Sequence, residues 1–279
     1  MSAPSPVIAM RPKVMGIVNA TPDSFSDGGR FLAFEAALAQ ARRLIADGAD
    51  ILDLGAESTR PGAEPVPAEL EIARLAPLIQ ALRAESATPI SVDTMKPQVA
   101  QAAIAAGATM WNDVTALRHA SDSLAAAAEL GCEVVLMHMQ GEPRTMQAEP
   151  RYDDVVAEVA AFLAARAEAA VAAGIARGKI WLDPGVGFGK HMLRHNLPLM
   201  AGLDRIVSLG FPVLLGASRK AFIGALDDGA EAEQRLGGSI AAALAGAAAG
   251  VAAVRVHDVR ETVQALKVQA AISGARSPD

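Results

Sequence analysis

Aromatic side chains are scarce: Phe, Tyr and Trp together make up 4% of the 279 residues, although 52% are hydrophobic. The core must therefore be built from Ala, Val, Leu and Ile, which suits helices packed on a parallel sheet. Cysteine is nearly absent. Cys132, the only one, excludes an internal disulfide and fits a reducing, cytoplasmic setting. It opens an apolar run and reads as a buried, inert thiol. Basic excess is absent too. The net charge is −6 and Lys and Arg form no cluster, which argues against nucleic acid or an anionic membrane as partner. No long apolar run is present. The most apolar stretch, Ser239–Val254, is short for a membrane span and is diluted by Gly246 and Gly250. Met1–Arg11 lacks the charged and apolar regions of a secretory signal.

What is present is a repeating unit. Eight short apolar runs are expected as strands: Val14–Val18, Asp50–Leu54, Pro89–Val92, Thr109–Asn112, Glu133–His138, Lys179–Leu182, Pro212–Leu215 and Ala253–Val256. Their polarity does not alternate strictly, as expected of parallel strands buried on both faces. Helical patterns follow, including Phe34–Asp47, Pro67–Glu85, Pro97–Ala106, Asp154–Ala173 and Asp258–Ile272. Gly48, Gly107, Gly131, Gly174 and Gly210 fall just past helix ends, where a left-handed residue is wanted. Alternating units allow a doubly wound sheet or a barrel, and eight of them at this length fit a single-domain (β/α)8 barrel. We expect an N-terminal extension over residues 1–12, the barrel over 13–272 and a frayed tail over 273–279.

The unusual polar residues fall at the C-terminal ends of the strands. Asn19, Asp93, Asn112 with Asp113, His138, Asp183, Ser218-Arg219-Lys220, and Arg255 with His257 all do so, and Asp53 lies on the second strand. In a barrel these ends meet on one face, where active sites sit. Asp93, Asp113 and Asp258 are each also well placed as helix N-caps. The first connection, Asn19–Arg30, is polar and Gly-rich and longer than most βα loops, and reads as a loop that closes over a ligand.

Two motifs fail. Gly185-Val186-Gly187-Phe188-Gly189-Lys190 lacks the third dinucleotide-fingerprint glycine and the phosphate-loop ends, and reads as a sharp βα loop. His191 and His195 have i,i+4 spacing but no HExxH context, which argues against zinc. The barrel-mouth inventory suits a flat heterocycle with paired N–H donors, which a buried carboxylate binds bidentately. Lys220 adds a donor to a ring oxygen or nitrogen. Arg60, Arg219, Arg255 and His257 suit a phosphate or diphosphate. Asn19 offers one neutral oxygen to a Mg²⁺ otherwise held by phosphate and water.

Seven ordered motifs carry a resemblance: Gly16–Gly29, Glu57-Ser58-Thr59-Arg60-Pro61-Gly62, Ser91-Val92-Asp93-Thr94, His138-Met139-Gln140-Gly141, Leu182-Asp183-Pro184-Gly185, Ser218-Arg219-Lys220 and Arg255–Val259. From Met15 to about Lys267 the chain resembles the dihydropteroate synthases. That resemblance implies a TIM barrel that condenses 4-aminobenzoate with (7,8-dihydropterin-6-yl)methyl diphosphate in folate biosynthesis, with Mg²⁺ and as a homodimer. It implies that Asp93, Asn112, Asp183 and Lys220 hold the pterin, that Arg255 and His257 hold diphosphate, and that Asn19 ligates the metal. Thr59 and Arg60 would lie near the diphosphate and the aminobenzoate. Phe25, Pro61 and Ser218 would border the aminobenzoate pocket, where sulfonamides bind in the family. Asn19, Thr59, Arg60, Lys220, Arg255 and His257 are the expected catalytic set. Ala20, Ala56, Met95 and Val186 depart from the expected pattern without removing a polar group. Two rival readings share the barrel. A corrinoid methyltransferase-type enzyme would need neither Arg255-Val256-His257 nor the first loop, and an inactive pterin-binding paralogue should have lost one or the other, whereas this chain keeps both.

Overall fold

The computed structural model describes residues 11–20, 27–57, 65–142 and 145–275. Eight parallel strands alternate with helices: β1 Lys13–Asn19, α1 Asp27–Ala46, β2 Ile51–Gly55, α2 Ala68–Glu85, β3 Ile90–Asp93, α3 Pro97–Ala106, β4 Met110–Asp113, α4 Ser123–Leu130, β5 Glu133–Met137, α5 Val155–Ala172, β6 Ile180–Asp183, α6 Asn196–Ala201, α7 Leu203–Val207, β7 Leu214–Leu215, α8 Ala221–Leu226, α9 Leu236–Ala249, β8 Ala253–Val256 and α10 Val259–Gly274. The strand order is β6-β5-β4-β3-β2-β1-β8-β7. A parallel bridge between Leu182 and Val213 joins the two outer strands and closes the barrel. The seam is thin for a chemical reason. Pro212 has no N–H to give, although its carbonyl accepts from Leu182 N at 2.9 Å.

Each expected strand is found within two residues of its expected ends. The five glycines past helix ends all adopt positive φ. One boundary moves substantially: α1 starts at Asp27 rather than Phe34, so Asp27–Arg30 are helical and not part of the first loop. Once nucleated by its packed half, the helix propagates backward cheaply.

Side chains alternate between two apolar layers. Outward residues such as Val14, Leu52, Val92, Val134 and Leu182 pack with Leu38, Leu75, Leu78 and Ile79 of the helices. Inward, Met15, Ile51, Met110, Val135, Trp181, Leu214 and Ala253 form a separate cluster that plugs the barrel. This inner plug fixes the site. A strand has period two, so the next inward residue lies one layer higher. Ile51 is followed by Asp53, Met110 by Asn112, Trp181 by Asp183, and Ala253 by Arg255 and then His257. A polar layer therefore rests on a dry floor. Cys132 is buried, and burial pushes its thiol pKa up, as an inert core thiol requires. Among the described residues no helix is long and apolar enough to cross a membrane.

Candidate active site

All eight described candidates line one open cavity of about 1670 Å³ that runs from the C-terminal mouth along α1 as far as Arg43 and Asp47: Asn19, Asp93, Asn112, Asp183, Ser218, Lys220, Arg255 and His257. Strand register sets three of these positions. Asn19 pairs with Gly55, Gly55 with Asp93, and Asp93 with Asn112, so one tier crosses four strands. Phe25, Thr59, Arg60 and Pro61 lie outside the described residues.

Arg255 is the electrostatic centre. Its Nε donates to Asp53 Oδ2 at 2.6 Å and its Nη2 to Asp93 Oδ2 at 2.7 Å. Asn112 Nδ2 donates to the same Asp53 oxygen at 3.2 Å. Burial opposes the charge on Arg255, but Asp53 and Asp93 outweigh it and hold the guanidinium protonated. Burial pushes Asp93 up to about 7 despite Arg255, with Asp53 adding like-charge repulsion. Asp53 is fully buried, and its Oδ1 has no partner among the described residues. Expected only as a polar residue on a strand, Asp53 is in fact the counter-charge that orients both Arg255 and Asn112.

Asp183 is 5% exposed. Its Oδ1 accepts from Gly185 N at 2.6 Å. Burial raises its pKa, opposed by that hydrogen bond and by the charges of Lys220, Arg255 and Lys190. The carboxylate is thus dry, fixed in orientation and costly to leave unpaired. Lys220 places its Nζ 4.1 Å from the centre of the Phe188 ring.

Ser218 and His257 form a pair, with Oγ and Nδ1 3.0 Å apart. The His257 backbone N–H donates to the same hydroxyl at 3.3 Å. The hydroxyl hydrogen is then available to Nδ1, which leaves Nε2–H as the ring's donor. Burial, then Arg219 and Arg255, lower the His257 pKa to about 4, so the imidazole is neutral near pH 7. Arg219 is not a spare cation. It pairs with Asp258 through two bonds of 3.0 and 2.5 Å. Asp258 does occupy the N-cap position of α10, but its side chain serves Arg219 and makes no cap bond.

Two strand-end residues turn away from the cavity. Asp113 accepts from Thr115 N, Thr115 Oγ1 and Leu117 N, all within its own turn and not at a helix start. His138 stacks edge-on against Phe162 at 4.9 Å. Asp93 is likewise no cap, since Lys96 precedes α3. His191 and His195 do not share a helix. The His195 ring caps the turn by accepting from His191 N at 3.0 Å. Among the described residues no cluster of three or more His, Cys, Asp and Glu could hold a metal.

A buried ionic knot flanks the mouth. Lys96 Nζ donates to Glu57 Oε2 at 2.9 Å, to the Val66 carbonyl at 2.6 Å and to Glu71. Glu57 Oε1 accepts from Val66 N at 2.9 Å. The knot joins Glu57, the last residue described after β2, to Val66 just before α2. Glu71 is fully buried, and burial raises its pKa despite Lys96. Lys96→Met would leave two carboxylates and a carbonyl without their donor. It should destabilise the fold by about 2 kcal/mol, the cost of unsatisfied buried acceptors, as read by urea denaturation. A loss near zero would show that the knot is not load-sharing.

The chain matches the family of pterin binding enzymes over residues 15–257. A dihydropteroate synthase of Neisseria meningitidis serogroup B is 50% identical over 269 residues, spanning 94% of this chain and 93% of the relative. The fold matches a dihydropteroate synthase of Xanthomonas albilineans solved with 4-aminobenzoic acid, with TM-score 0.88 and 53% identity over 96% of this chain and 94% of that one. The same enzyme solved with 7,8-dihydropteroate matches with TM-score 0.85 and 50% identity, over 96% and 95% of the two chains. With a barrel mouth built from these motifs and relatives matched along nearly their whole length, the chain belongs to the dihydropteroate synthase family of pterin-binding enzymes.

Proposed function

We propose that the barrel mouth condenses (7,8-dihydropterin-6-yl)methyl diphosphate with 4-aminobenzoate to give 7,8-dihydropteroate and diphosphate. The observation that carries this reading is the dry carboxylate of Asp183 beside Asp93, Asn112 and Lys220, one tier above an apolar floor. The donor edge of a pterin would pair with Asp183, and Lys220 would donate to a ring acceptor. Deep insertion would bring the pterin methylene toward Arg255 and His257, so the leaving diphosphate would meet a fixed guanidinium and the Nε2–H of His257. Ser218 would border the aminobenzoate while holding His257 in its tautomer. By the family resemblance, Thr59 and Arg60 complete the reading near the diphosphate and the aminobenzoate, and Phe25 and Pro61 beside the aminobenzoate.

In the reaction the C–O bond to diphosphate breaks, the arylamine nitrogen forms the new C–N bond, and the amine sheds a proton to solvent or diphosphate. The chain supplies positioning and charge stabilisation rather than a nucleophile. Asn19 sits exposed at the end of β1 and lines the cavity. One neutral amide oxygen fits a Mg²⁺ whose other ligands are diphosphate and water, and does not fit a resident all-protein site. When bound there, the ion would neutralise charge developing on the leaving diphosphate. Excess chelator should therefore abolish turnover while leaving the affinity for a pterin lacking diphosphate unchanged. Full turnover in chelator would contradict the metal assignment.

A homodimer is part of the same reading. Leu236 on α9 and Val268 and Ile272 on α10 are exposed at 37%, 54% and 55%, on helices that pack together. Sedimentation at micromolar concentration should show a two-chain species, and a one-chain species alone would contradict it. A cytoplasmic setting is supported by the single buried thiol.

A further inference from the structure

The loop between β6 and α6 lies against the segment that follows β5. Gly185, Gly187 and Gly189 have φ of 65°, 83° and 58°. A Cβ on Gly185 would come within 1.9 Å of the His138 carbonyl oxygen, and one on Gly189 within 2.2 Å of the Gln140 carbonyl oxygen. Backbone is packed on backbone, which only glycine permits.

Lys190 sits behind this contact and is 1% exposed. Its Nζ donates to Gly185 O at 2.9 Å, to Phe188 O at 3.0 Å and to His138 Nδ1 at 2.9 Å. These three close acceptors match the three hydrogens of one ammonium, and the His138 carbonyl lies farther off at 3.4 Å. Burial and the charge of Lys190 keep His138 neutral, with its pKa lowered to about 3, so Nδ1 accepts. Burial lowers Lys190 itself to about 7, with Asp183 favouring the charged form and Lys220 opposing it.

Both ends of the tied turn reach the cavity. Gly185 N holds Asp183 Oδ1 at 2.6 Å. Phe188 lies against the Lys220 ammonium at 4.1 Å. A Cβ on Gly187 would meet Lys220 Cδ at 3.3 Å, so the backbone there borders the lysine stem.

We propose that Lys190 is a positioning residue for the pterin substrate: its buried ammonium ties the two carbonyls of the Gly185–Phe188 turn to His138 and thereby orients Asp183 and Lys220. The inference rests on the reading that the pterin lies between those two side chains. Lys190 touches no substrate in this arrangement; it acts through the turn.

Lys190→Met keeps the length and removes the donors. Calorimetry with a pterin lacking diphosphate should show affinity lowered roughly tenfold or more, the usual scale for losing a partner that orients a ligand-binding group. The KM for dihydropterin diphosphate should rise in step, while that for 4-aminobenzoate should change less than about twofold. His138→Gln retains a side-chain acceptor for Lys190 and His138→Leu does not, while the backbone carbonyl of residue 138, 3.4 Å from Nζ, stays in both. Gln should bind the pterin more tightly than Leu, a comparison that stands even if Lys190→Met fails to fold. A folded Lys190→Met with a lower melting temperature but wild-type pterin affinity would overturn the inference, as would equal affinity in the two His138 variants. A wild-type protein that does not bind the pterin would overturn the site reading itself, and the inference with it.

Discussion

Replacing Arg255 with methionine is expected to destabilise the protein by about 3–5 kcal/mol near neutral pH, the range for breaking one side of a buried ionic cluster. The guanidinium binds Asp53 and Asp93 at 2.6 and 2.7 Å. Without it, two buried carboxylates face each other with only Asn112 as a donor to Asp53. The pH dependence has a definite sign. Burial already raises Asp93 to about 7, and losing Arg255 removes what opposes that rise. A carboxyl with a raised folded pKa binds more protons folded than unfolded, so stability falls as pH rises from the unfolded value through the folded one. The variant should lose more stability at about pH 8 than at about pH 6. Urea denaturation at both values checks this. An equal loss at both, or a larger one at the lower pH, would show that Arg255 does not oppose the protonation of Asp93.

Asp183→Ala should leave the barrel folded but cost about 2–5 kcal/mol of pterin affinity, the penalty of unpairing a buried charge-assisted contact. The carboxylate is dry and its orientation is set by Gly185 N. A water-filled cavity in place of the side chain would provide no fixed bidentate acceptor. Removing it also strands the Gly185 amide, so a modest loss of stability should accompany the change. Calorimetry with a pterin analogue separates the two effects. Unchanged affinity would remove Asp183 from the pterin site.

Much of this site is legible in the chain because a parallel barrel puts strand ends on one face. Reading polar residues at the ends of apolar runs locates Asn19, Asp93, Asn112, Asp183 and Arg255 without further knowledge of packing. The direction of adjacent residues is not legible in the same way. Asn112 enters the cavity while Asp113 and His138 turn away, because inward and outward positions alternate and both kinds are apolar lower down the strands. Asp53 was visible as a polar residue within an apolar strand, yet its role depends on Arg255, which is distant in sequence and only the closed barrel brings near. Lys190 is not legible as a tether, because the glycines before it resemble a failed phosphate-binding motif. Their other use is to let two loops touch backbone to backbone, and a lysine ending such a run is the available signal for an ammonium that ties carbonyls. Arg219 counts in the sequence as one of the cations that suit a phosphate, and its pairing with Asp258, 39 residues on, appears only in the fold.

In the proposed function one barrel mouth joins the two substrates with loss of diphosphate. The direct measurement supplies purified protein with Mg²⁺ and dihydropterin diphosphate, with 4-aminobenzoate present or omitted, and follows both diphosphate and dihydropteroate. Diphosphate release that depends on 4-aminobenzoate and matches dihydropteroate mole for mole is the expected result. Diphosphate released at the same rate without 4-aminobenzoate, or no dihydropteroate under any condition, would contradict it.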